Sequence, residues 1–277
     1  MNYRHAFHAG NFADVVKHLA LCDVLLYLRK KEKPFFVLDT HAGRGIYDLR
    51  SEEALRTAEA GRGIETLRPL FASTGLPEAM KTYFERIEAM GEARYPGSPL
   101  IAAHLLRAGD RLVAIEKQEE EWAHLKRALA PFRNTQAILT DGYERLAAYL
   151  PPPERRGLVL IDPPYEAPDE FERAAAALTA AHRRFATGIY MLWFPIKSPA
   201  AADAFCGEVL AGGAAKVLRI DVSVSLPPDA EKERLSAAGL LIVNPPFEMD
   251  ARMAACGAIA APLLGARLEF AWLAGQD

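Results

Sequence analysis

Residues 157–166 read Gly-Leu-Val-Leu-Ile-Asp-Pro-Pro-Tyr-Glu. The apolar residues at 157–161 are typical of a buried strand in a parallel sheet. The strand must end at Pro163, because proline lacks the backbone N–H that a central strand donates to its neighbour. Asp162, a rigid turn and Tyr165 are therefore presented together at the carboxyl end of a strand, where open α/β sheets bind their ligands.

This turn suits the exocyclic amine of a nucleobase. Such an amine has two hydrogens, and the Asp162 carboxylate and the Pro163 carbonyl can accept both of them. The Tyr165 ring offers a flat face for stacking a base, which is worth about 1–3 kcal/mol. The alternative is a strand-ending turn in which Asp162 only caps the next helix, and four residues alone do not decide between the two.

A second motif, Val243-Asn244-Pro245-Pro246-Phe247, has the same form and also follows an apolar strand. Chain order separates the two motifs, since only 30 residues follow Phe247 and the nucleotide-binding strands must precede the catalytic strand. We interpret Asn244 and Phe247 as structural, with the alternative that they line the same cleft.

Composition indicates an ordinary soluble protein. The chain has 277 residues, of which 51% are apolar and 25% charged, a size that one domain can reach. No apolar run is long enough for a membrane span, and the N-terminus lacks the apolar core of a signal peptide. Cys22, Cys206 and Cys256 are far apart, which excludes zinc spacing and indicates a reducing cytoplasm.

Positive charge is concentrated at the N-terminus. Residues 1–33 contain six Lys or Arg and three Asp or Glu, a net charge of +3 in a chain whose net charge is −3. This segment is the predicted place for phosphate contacts. The alternative for Arg29 to Lys33 is a solvated helix end whose cations complement the helix dipole.

Strands and helices are predicted to alternate, which indicates an α/β fold with a mostly parallel sheet covered by helices on both faces. The predicted strands are 35–39, 111–116, 137–140, 157–162, 188–194, 216–224, 239–243 and 267–273. The predicted helices are 13–31, 119–129, 143–150, 169–184, 199–211 and 249–263. A further helix is predicted to begin with Ser98 as its N-cap and Pro99 as its first residue.

Residues 48–95 are predicted to form an inserted helical subdomain. The pattern there is helical and broken by glycine and proline, and it is too long for the single helix that would link two neighbouring strands. The main domain is accordingly predicted to comprise residues 1–47 and 96–277.

Three acidic residues end the predicted strands that precede Asp162. Asp39 is followed by Gly43 and Gly45, and glycine lets the backbone approach a ligand closely. Glu116 suits the two hydroxyls of a ribose, and Asp141-Gly142 suits an adenine amine and ring edge. The spacings of 25 residues from Glu116 to Asp141 and 21 from Asp141 to Asp162 each match one strand–helix unit.

This ordered series favours a methyltransferase over a nicotinamide oxidoreductase. The loop at Gly43 lacks the third glycine of Gly-x-Gly-x-x-Gly, which lets a helix pack beneath a pyrophosphate. S-adenosylmethionine has no pyrophosphate, so that glycine is not needed for it.

The chain resembles the bacterial 23S ribosomal RNA adenine-N6 methyltransferases of the RlmJ type. The resemblance is carried by segments 3–11, Asp14 with Lys17-His18, 38–43, 95–99 and 161–166. It implies a Rossmann-like class I S-adenosylmethionine-dependent methyltransferase fold with a helical insertion. It also implies a monomer that methylates one adenine of largely protein-free 23S rRNA, producing S-adenosylhomocysteine without a metal.

The resemblance also implies residue roles. Asp162 is expected to be catalytic, with Pro163 and Tyr165 beside it. The residues expected to contact the cofactor or its surroundings are His18, His41, Gly43, Ser98, Glu116, Asp141, Gly142 and Asp162. Tyr3 is expected to contact substrate RNA. Apart from the resemblance, Arg4 and Lys17 of the basic N-terminal segment are also expected to contact the RNA.

Other interpretations of the residues stay open. His5 and His8 have the spacing of a metal pair, but no third ligand is near. For His18 the alternative is a satisfied, partly buried histidine. The motif does not distinguish adenine in RNA from adenine or cytosine N4 in DNA, and a non-catalytic RNA-binding protein on the same fold is the alternative from another class. Whether Asp162 also accepts a proton is likewise open.

Overall fold

The computed structural model describes residues 5–225 and 235–275, and in these ranges ten strands alternate with ten α-helices. The strands are β1 (Phe36–Asp39), β2 (Ile46–Asp48), β3 (Arg94–Pro96), β4 (Arg111–Glu116), β5 (Thr135–Leu139), β6 (Gly157–Ile161), β7 (Ile189–Pro195), β8 (Val217–Val224), β9 (Ala237–Val243) and β10 (Ala266–Ala274). The helices are α1 (Phe12–Arg29), α2 (Glu52–Thr57), α3 (Ile64–Leu67), α4 (Glu78–Glu88), α5 (Ser98–Leu105), α6 (Glu119–Leu129), α7 (Gly142–Leu146), α8 (Glu170–Arg184), α9 (Pro199–Ala211) and α10 (Met249–Leu264).

Eight strands form the central sheet, in the order β10-β8-β9-β7-β6-β1-β4-β5. In one part of the sheet, neighbouring strands are all parallel to each other. This part contains β5, β4, β1, β6 and β7. β9 is antiparallel to both β7 and β8, and β10 is antiparallel to β8. The mostly parallel sheet predicted from the sequence is confirmed, and β1 is the middle one of its five parallel strands, next to β6, which ends just before Asp162.

Helices cover both faces of the sheet, and each face has its own hydrophobic core. One core contains α1, α4, α5, α6 and α10, and the other contains α7, α8 and α9. α1 is buried along almost its whole length, because it lies on the sheet and is covered in turn by α4, α5 and α10. A helix buried all round must pair any polar side chain it carries. Within the described residues, no helix is long and apolar enough to cross a bilayer.

The predicted insertion begins and ends in a short antiparallel ladder, in which Tyr47 of β2 pairs with Tyr95 of β3. Between these strands, α4 packs Tyr83 and Phe84 against α1, so the segment shares the core of that face of the sheet. We propose that 48–95 is the insertion. Its helices cover the part of α1 that bears the functional side chains.

The second proline motif lies at the opposite edge of the sheet from Asp162, because β9 runs antiparallel to β7. The Asn244 side chain donates hydrogen bonds to the carbonyls of Ala186 and Gly188, each at 2.8 Å. Phe247 is 63% exposed. Asn244 therefore stabilises the turn that precedes β7. The two motifs are separated mainly by the opposite directions of the strands that precede them, and less by their order in the chain.

Candidate active site

A cleft opens at the carboxyl ends of β1, β4 and β6. It is lined by residues that the sequence analysis singled out, namely Lys17, His18, His41, Gly43, Ser98, Glu116, Asp141, Gly142 and Asp162. The structure thus brings the residues expected at the cofactor into one cleft. Tyr3 and Arg4 lie outside the described residues.

A chain of ion pairs runs from the N-terminal segment to Asp162. The Lys17 ammonium lies 2.6 Å from Asp162 Oδ2 and 2.7 Å from Asp14 Oδ1. The other oxygen of Asp14 lies 2.9 Å from His5 Nε2 and accepts a hydrogen bond from the Gly10 N–H. The Lys17 and Asp14 side chains are 4% and 3% exposed, so this pairing takes place almost out of contact with water.

The ion pairs keep these groups charged. Burial would lower the pKa of Lys17, but the carboxylates of Asp14 and Asp162 outweigh it and raise that pKa well above its usual value. Burial would likewise raise the pKa of Asp14, but His5 and Lys17 hold it well below the usual range. Asp162 therefore has a permanent cation on one of its oxygens.

Lys17 is predicted to contact substrate RNA, but in the structure its buried ammonium is paired with Asp162. The pairing was missed because its partners are 145 residues apart in the chain. One signal was present in the sequence. Asp14 and Lys17 are three residues apart on a mostly apolar helix, where an unpaired charge would be costly.

Ser98 is not the N-cap of α5, and that prediction is wrong. Gly97 occupies the cap position, and the buried Ser98 hydroxyl donates a hydrogen bond of 2.7 Å to Asp39 Oδ2. Burial raises the pKa of Asp39 to about 7, against the effect of the Ser98 bond. The serine was predicted to cap because its neighbour is proline, but only the fold brings β1 within reach of its hydroxyl.

Glu116 joins the end of β4 to the glycine loop that follows β1. One carboxylate oxygen accepts from the Gly43 N–H at 2.9 Å and the other from the Gln118 N–H at 2.8 Å. Gly43 has a φ of +61°, which favours glycine. Each oxygen of Glu116 keeps a further lone pair for a hydroxyl in the cleft. Burial raises the pKa of this carboxyl.

Asp141 caps α7 and holds two cations. Its Oδ1 accepts from the Tyr143 N–H at 2.9 Å, and its Oδ2 lies 2.9 Å from Lys117 Nζ and 3.5 Å from Arg173. Burial would raise the pKa of Asp141, but the Lys117 hydrogen bond and charge lower it. The carboxylate is therefore ionised and held at the rim of the cleft.

Gly142 is required by close packing. A Cβ built on it would lie 2.0 Å from the Thr40 carbonyl oxygen. We expect Gly142→Ala to destabilise the fold by about 1–3 kcal/mol, because backbone at the end of β1 must move, and to weaken cofactor binding. Thermal unfolding and calorimetry measure both effects.

Gly207→Ala is the matched control for that variant. Gly207 lies in α9, and a Cβ there meets nothing within 4 Å. The alanine is expected to leave binding unchanged and to stabilise slightly, as in other helix interiors. Equal effects of the two variants would contradict the role given to Gly142.

The proline turn holds Asp162 at the floor of the cleft. Pro163 is buried, Pro164 lines the cleft, and Tyr165 is half-buried with a φ of 50°. The Tyr165 hydroxyl donates to the Trp193 carbonyl at 2.8 Å, and its ring packs against Phe171. The aromatic side chain is thus anchored at its hydroxyl end, close to the end of β6.

Tyr143, Glu170 and Arg173 are among the cleft residues that were not predicted from the sequence. Tyr143 follows Gly142, and its ring lies 4.8 Å from both the His41 ring centroid and the Arg173 guanidinium. Glu170 and Arg173 come from the first turn of α8 and line the same cleft. The sequence does indicate a helix after the strand-ending turn. Which residues of that helix face the cleft depends on tertiary packing.

Among the described residues no group of three His, Cys, Asp or Glu side chains could hold a metal ion. His5 lies against Asp14, and His8 Nδ1 lies 3.1 Å from Glu59. His5 therefore connects the N-terminal segment to α1, and His8 connects it to the insertion.

The cleft fits an adenosine carrying a cationic amino-acid chain. Carboxylates of Glu116, Asp141 and Asp162 supply acceptors for hydroxyls and amines and negative charge for a cation. Gly43 and Gly142 let the backbone beside the cleft pack closely, because a Cβ on Gly43 would collide with the Tyr47 hydroxyl and one on Gly142 with the Thr40 carbonyl. Together with the strand order, these features define an S-adenosylmethionine-dependent methyltransferase of Rossmann-like fold.

Comparisons with known proteins identify the family. The family model described as ribosomal RNA large subunit methyltransferase D, RlmJ, matches residues 32–272. Two relatives named ribosomal RNA large subunit methyltransferase J are 39% identical (Haemophilus influenzae) and 38% identical (Escherichia coli), each over 91% of this chain and 90% of theirs. The crystal structure of protein LPL1258 from Legionella pneumophila is 33% identical, with a TM-score of 0.85 over 96% of this chain and 98% of that one. The chain belongs to the RlmJ family of ribosomal RNA methyltransferases.

Proposed function

We propose that this protein methylates N6 of one adenine in 23S ribosomal RNA, with the target base turned out of its helix into the cleft. The observation that supports this most directly is the position of Asp162. Its carboxylate lies at the end of the central parallel strands, 15% exposed, with one oxygen on Lys17 and the other left for a ligand. Base flipping costs a few kcal/mol, and contacts to the base in a fitted pocket offset this cost.

S-adenosylmethionine supplies an electrophilic methyl group when bound. Asp162 and the Pro163 carbonyl accept the two N6 hydrogens and so direct the nitrogen lone pair at the site of attack. As N6 becomes positively charged, the adjacent carboxylate stabilises it in a site from which water is largely excluded. The amine needs no prior deprotonation, because the methylated nitrogen is acidic and loses its proton readily.

Lys17 orients Asp162 in this mechanism. Its ammonium is held by Asp14 from behind and binds Oδ2 of Asp162, so the carboxylate cannot rotate freely. The half-buried ring of Tyr165 is proposed to stack on the flipped base, since its hydroxyl is fixed by Trp193. These contacts preorganise the acceptor before RNA arrives.

The proposed polymer is 23S rRNA, because the relatives named above are methyltransferases of the large ribosomal subunit. We propose that a monomer acts in the cytoplasm on RNA largely free of ribosomal proteins, since a flipped base must be reachable. We propose that Tyr3 and Arg4 contact the RNA, next to His5, which lines the cleft.

The basic cluster at 29–33 is remote from this site. It is exposed at the carboxyl end of α1, whereas Lys17 and His18 line the cleft nearer the start of the helix. Arg29 is 12 residues beyond Lys17 on this helix, about 18 Å along its axis. Phosphate contacts next to the target base are therefore proposed to come from residues nearer the cleft, such as those of the N-terminal segment, and not from that cluster.

Mass-spectrometric mapping of N6-methyladenine in rRNA tests the proposal. Cells that lack the protein are expected to lose one N6-methyladenine of 23S rRNA, and the wild-type gene is expected to restore it. In vitro, protein-free 23S rRNA should be methylated faster than the assembled subunit. Unchanged rRNA together with activity on DNA would contradict the assignment, and failure to bind S-adenosylhomocysteine would favour a non-catalytic RNA-binding protein.

A further inference from the structure

We propose that the cleft presents its two histidines in opposite neutral tautomers, His18 donating through Nε2–H and His41 accepting through Nε2. In this arrangement Tyr95, at the end of the insertion, is a positioning residue that acts through His18. Which group of the cofactor each histidine binds rests on the proposed function. The tautomers themselves follow from the hydrogen bonds of the protein alone.

The tautomer of His18 is determined by a buried chain of hydroxyls. His18 Nδ1 lies 2.7 Å from the Tyr95 hydroxyl, which lies 2.7 Å from the Tyr83 hydroxyl. Both tyrosines are fully buried, and burial keeps the pKa of each well above its usual value, so both hydroxyls retain their protons.

Only one direction of this chain leaves every buried hydroxyl paired. In the part of the protein that is described, Tyr83 has the Tyr95 hydroxyl as its hydrogen-bond partner. If His18 Nδ1 donated to Tyr95, Tyr95 would donate to Tyr83 and the Tyr83 proton would have no acceptor, which is unfavourable in a core. Tyr83 therefore donates to Tyr95, Tyr95 donates to His18 Nδ1, and the ring proton of His18 is on Nε2.

His41 is set the other way by Thr40. The Thr40 hydroxyl donates to the Leu160 carbonyl at 3.0 Å, and a carbonyl cannot donate in return. If the Thr40 proton went to His41 Nδ1 at 2.8 Å instead, Thr40 Oγ1 and the Leu160 carbonyl oxygen would lie 3.0 Å apart with no proton between them. We therefore assign the proton of the Thr40–His41 bond to His41 Nδ1, which leaves Nε2 as an acceptor. Burial lowers the pKa of His18 to about 3 and that of His41 to about 4, so both rings are neutral at physiological pH.

Both histidine rings line the cleft. With these tautomers, His18 offers a hydrogen-bond donor there and His41 offers an acceptor. A donor on α1 near the Lys17 ammonium suits a carboxylate, which among the groups of S-adenosylmethionine is the one at the end of its amino-acid chain. An acceptor on the loop after β1 suits an N–H or O–H of the same ligand. The insertion, through Tyr95, thereby takes part in recognising the amino-acid end of the cofactor.

The tautomers are measured directly in the free protein by long-range ¹H–¹⁵N correlation spectra with ¹⁵N-histidine. His18→Gln and His41→Gln identify the two sets of signals. We expect the Nε2–H pattern for His18 and the Nδ1–H pattern for His41. The same tautomer in both rings, or a protonated ring at pH 7, would overturn the proposal, whereas neither result bears on whether Asp162 is catalytic.

Tyr95→Phe tests the positioning role through binding. Calorimetry is expected to show about tenfold weaker binding of S-adenosylmethionine and S-adenosylhomocysteine, the loss of one well-oriented hydrogen bond. Binding of 5′-methylthioadenosine, which lacks the amino-acid end, should be unchanged, and kcat at saturating cofactor should stay within about twofold. Equal weakening of all three ligands would show a merely structural effect and overturn the assignment.

Tyr83→Phe is the matched control, because it also removes one buried hydroxyl from the same chain. Without Tyr83, the Tyr95 proton still has His18 as its acceptor. The His18 tautomer and the affinity for S-adenosylmethionine are therefore expected to match the wild type. An Nδ1–H tautomer in this variant would contradict the direction assigned to the chain.

Discussion

Asp162→Asn is expected to lower kcat by about 10²–10³-fold, comparable to removing one electrostatic contact to a transition state. The amide keeps the shape of the carboxylate but removes the charge that stabilises the cationic N6. It also turns N–H donors toward an amine or toward the Lys17 ammonium, which lies 2.6 Å from Asp162 Oδ2. Single-turnover methylation of protein-free 23S rRNA gives the rate, and calorimetry should show affinity for S-adenosylhomocysteine within about threefold of wild type.

Asp169→Asn provides the control for this variant. It makes the same change of charge a few residues further along the chain, but Asp169 is exposed and makes no capping bond to α8. We expect its activity to equal that of the wild type. Near-wild-type activity of Asp162→Asn would refute the catalytic assignment, and loss of activity in both variants would point to the overall charge of the segment.

Lys17→Met is expected to reduce both stability and turnover. It leaves Asp14 and Asp162 facing each other without their shared cation, and removing one partner of a buried ion pair typically costs about 3–5 kcal/mol. For a protein of this size that corresponds to a fall in Tm of roughly 6–20 °C. Turnover should fall as well, because the Asp162 carboxylate is no longer oriented. Thermal unfolding and kcat measure the two effects.

The stability loss in Lys17→Met is expected to depend on pH. In the wild type, the lowered pKa of Asp14 contributes stability that is present above the unfolded value of about 3.9 and is lost as pH falls through the folded pKa. The raised pKa of Lys17 contributes stability that is present below about 10.4 and is lost as pH rises through the folded pKa. In the variant the Asp14 carboxylate has lost the Lys17 charge that lowers its pKa and takes up a proton more readily, so the deficit relative to wild type should shrink between pH 7 and pH 4.

Lys126→Met controls for the change of residue type, since Lys126 is exposed on α6 and contacts the Trp122 ring. Its Tm is expected to stay close to that of the wild type. A deficit in Lys17→Met that is constant with pH would contradict the account of unpaired carboxylates, because a purely steric defect does not titrate.

The residues of the candidate site that lie at the ends of strands could be predicted from the sequence, because the strands themselves could be located. Glu116, Asp141 and Asp162 each follow an apolar run, and parallel strands bring such ends to one edge of a sheet. Ser98 was assigned the wrong partner, because a local capping rule was applied to a side chain that reaches β1. A rule based on neighbouring residues predicts a hydrogen bond correctly only when the bonding partner is also nearby in the chain.

The sequence by itself determined the order of the elements, the family, and the residue types gathered at the cleft, because hydrophobic periodicity and strand-ending motifs are written within short stretches. Only the tertiary structure decided how those residues are paired. The Lys17–Asp162 ion pair joins α1 to β6 across 145 residues, and the Tyr95–His18 bond joins the insertion to α1. Buried charges and hydroxyls must find partners, but the partner is set by the packing of α1 between the sheet and the insertion, which no local pattern encodes.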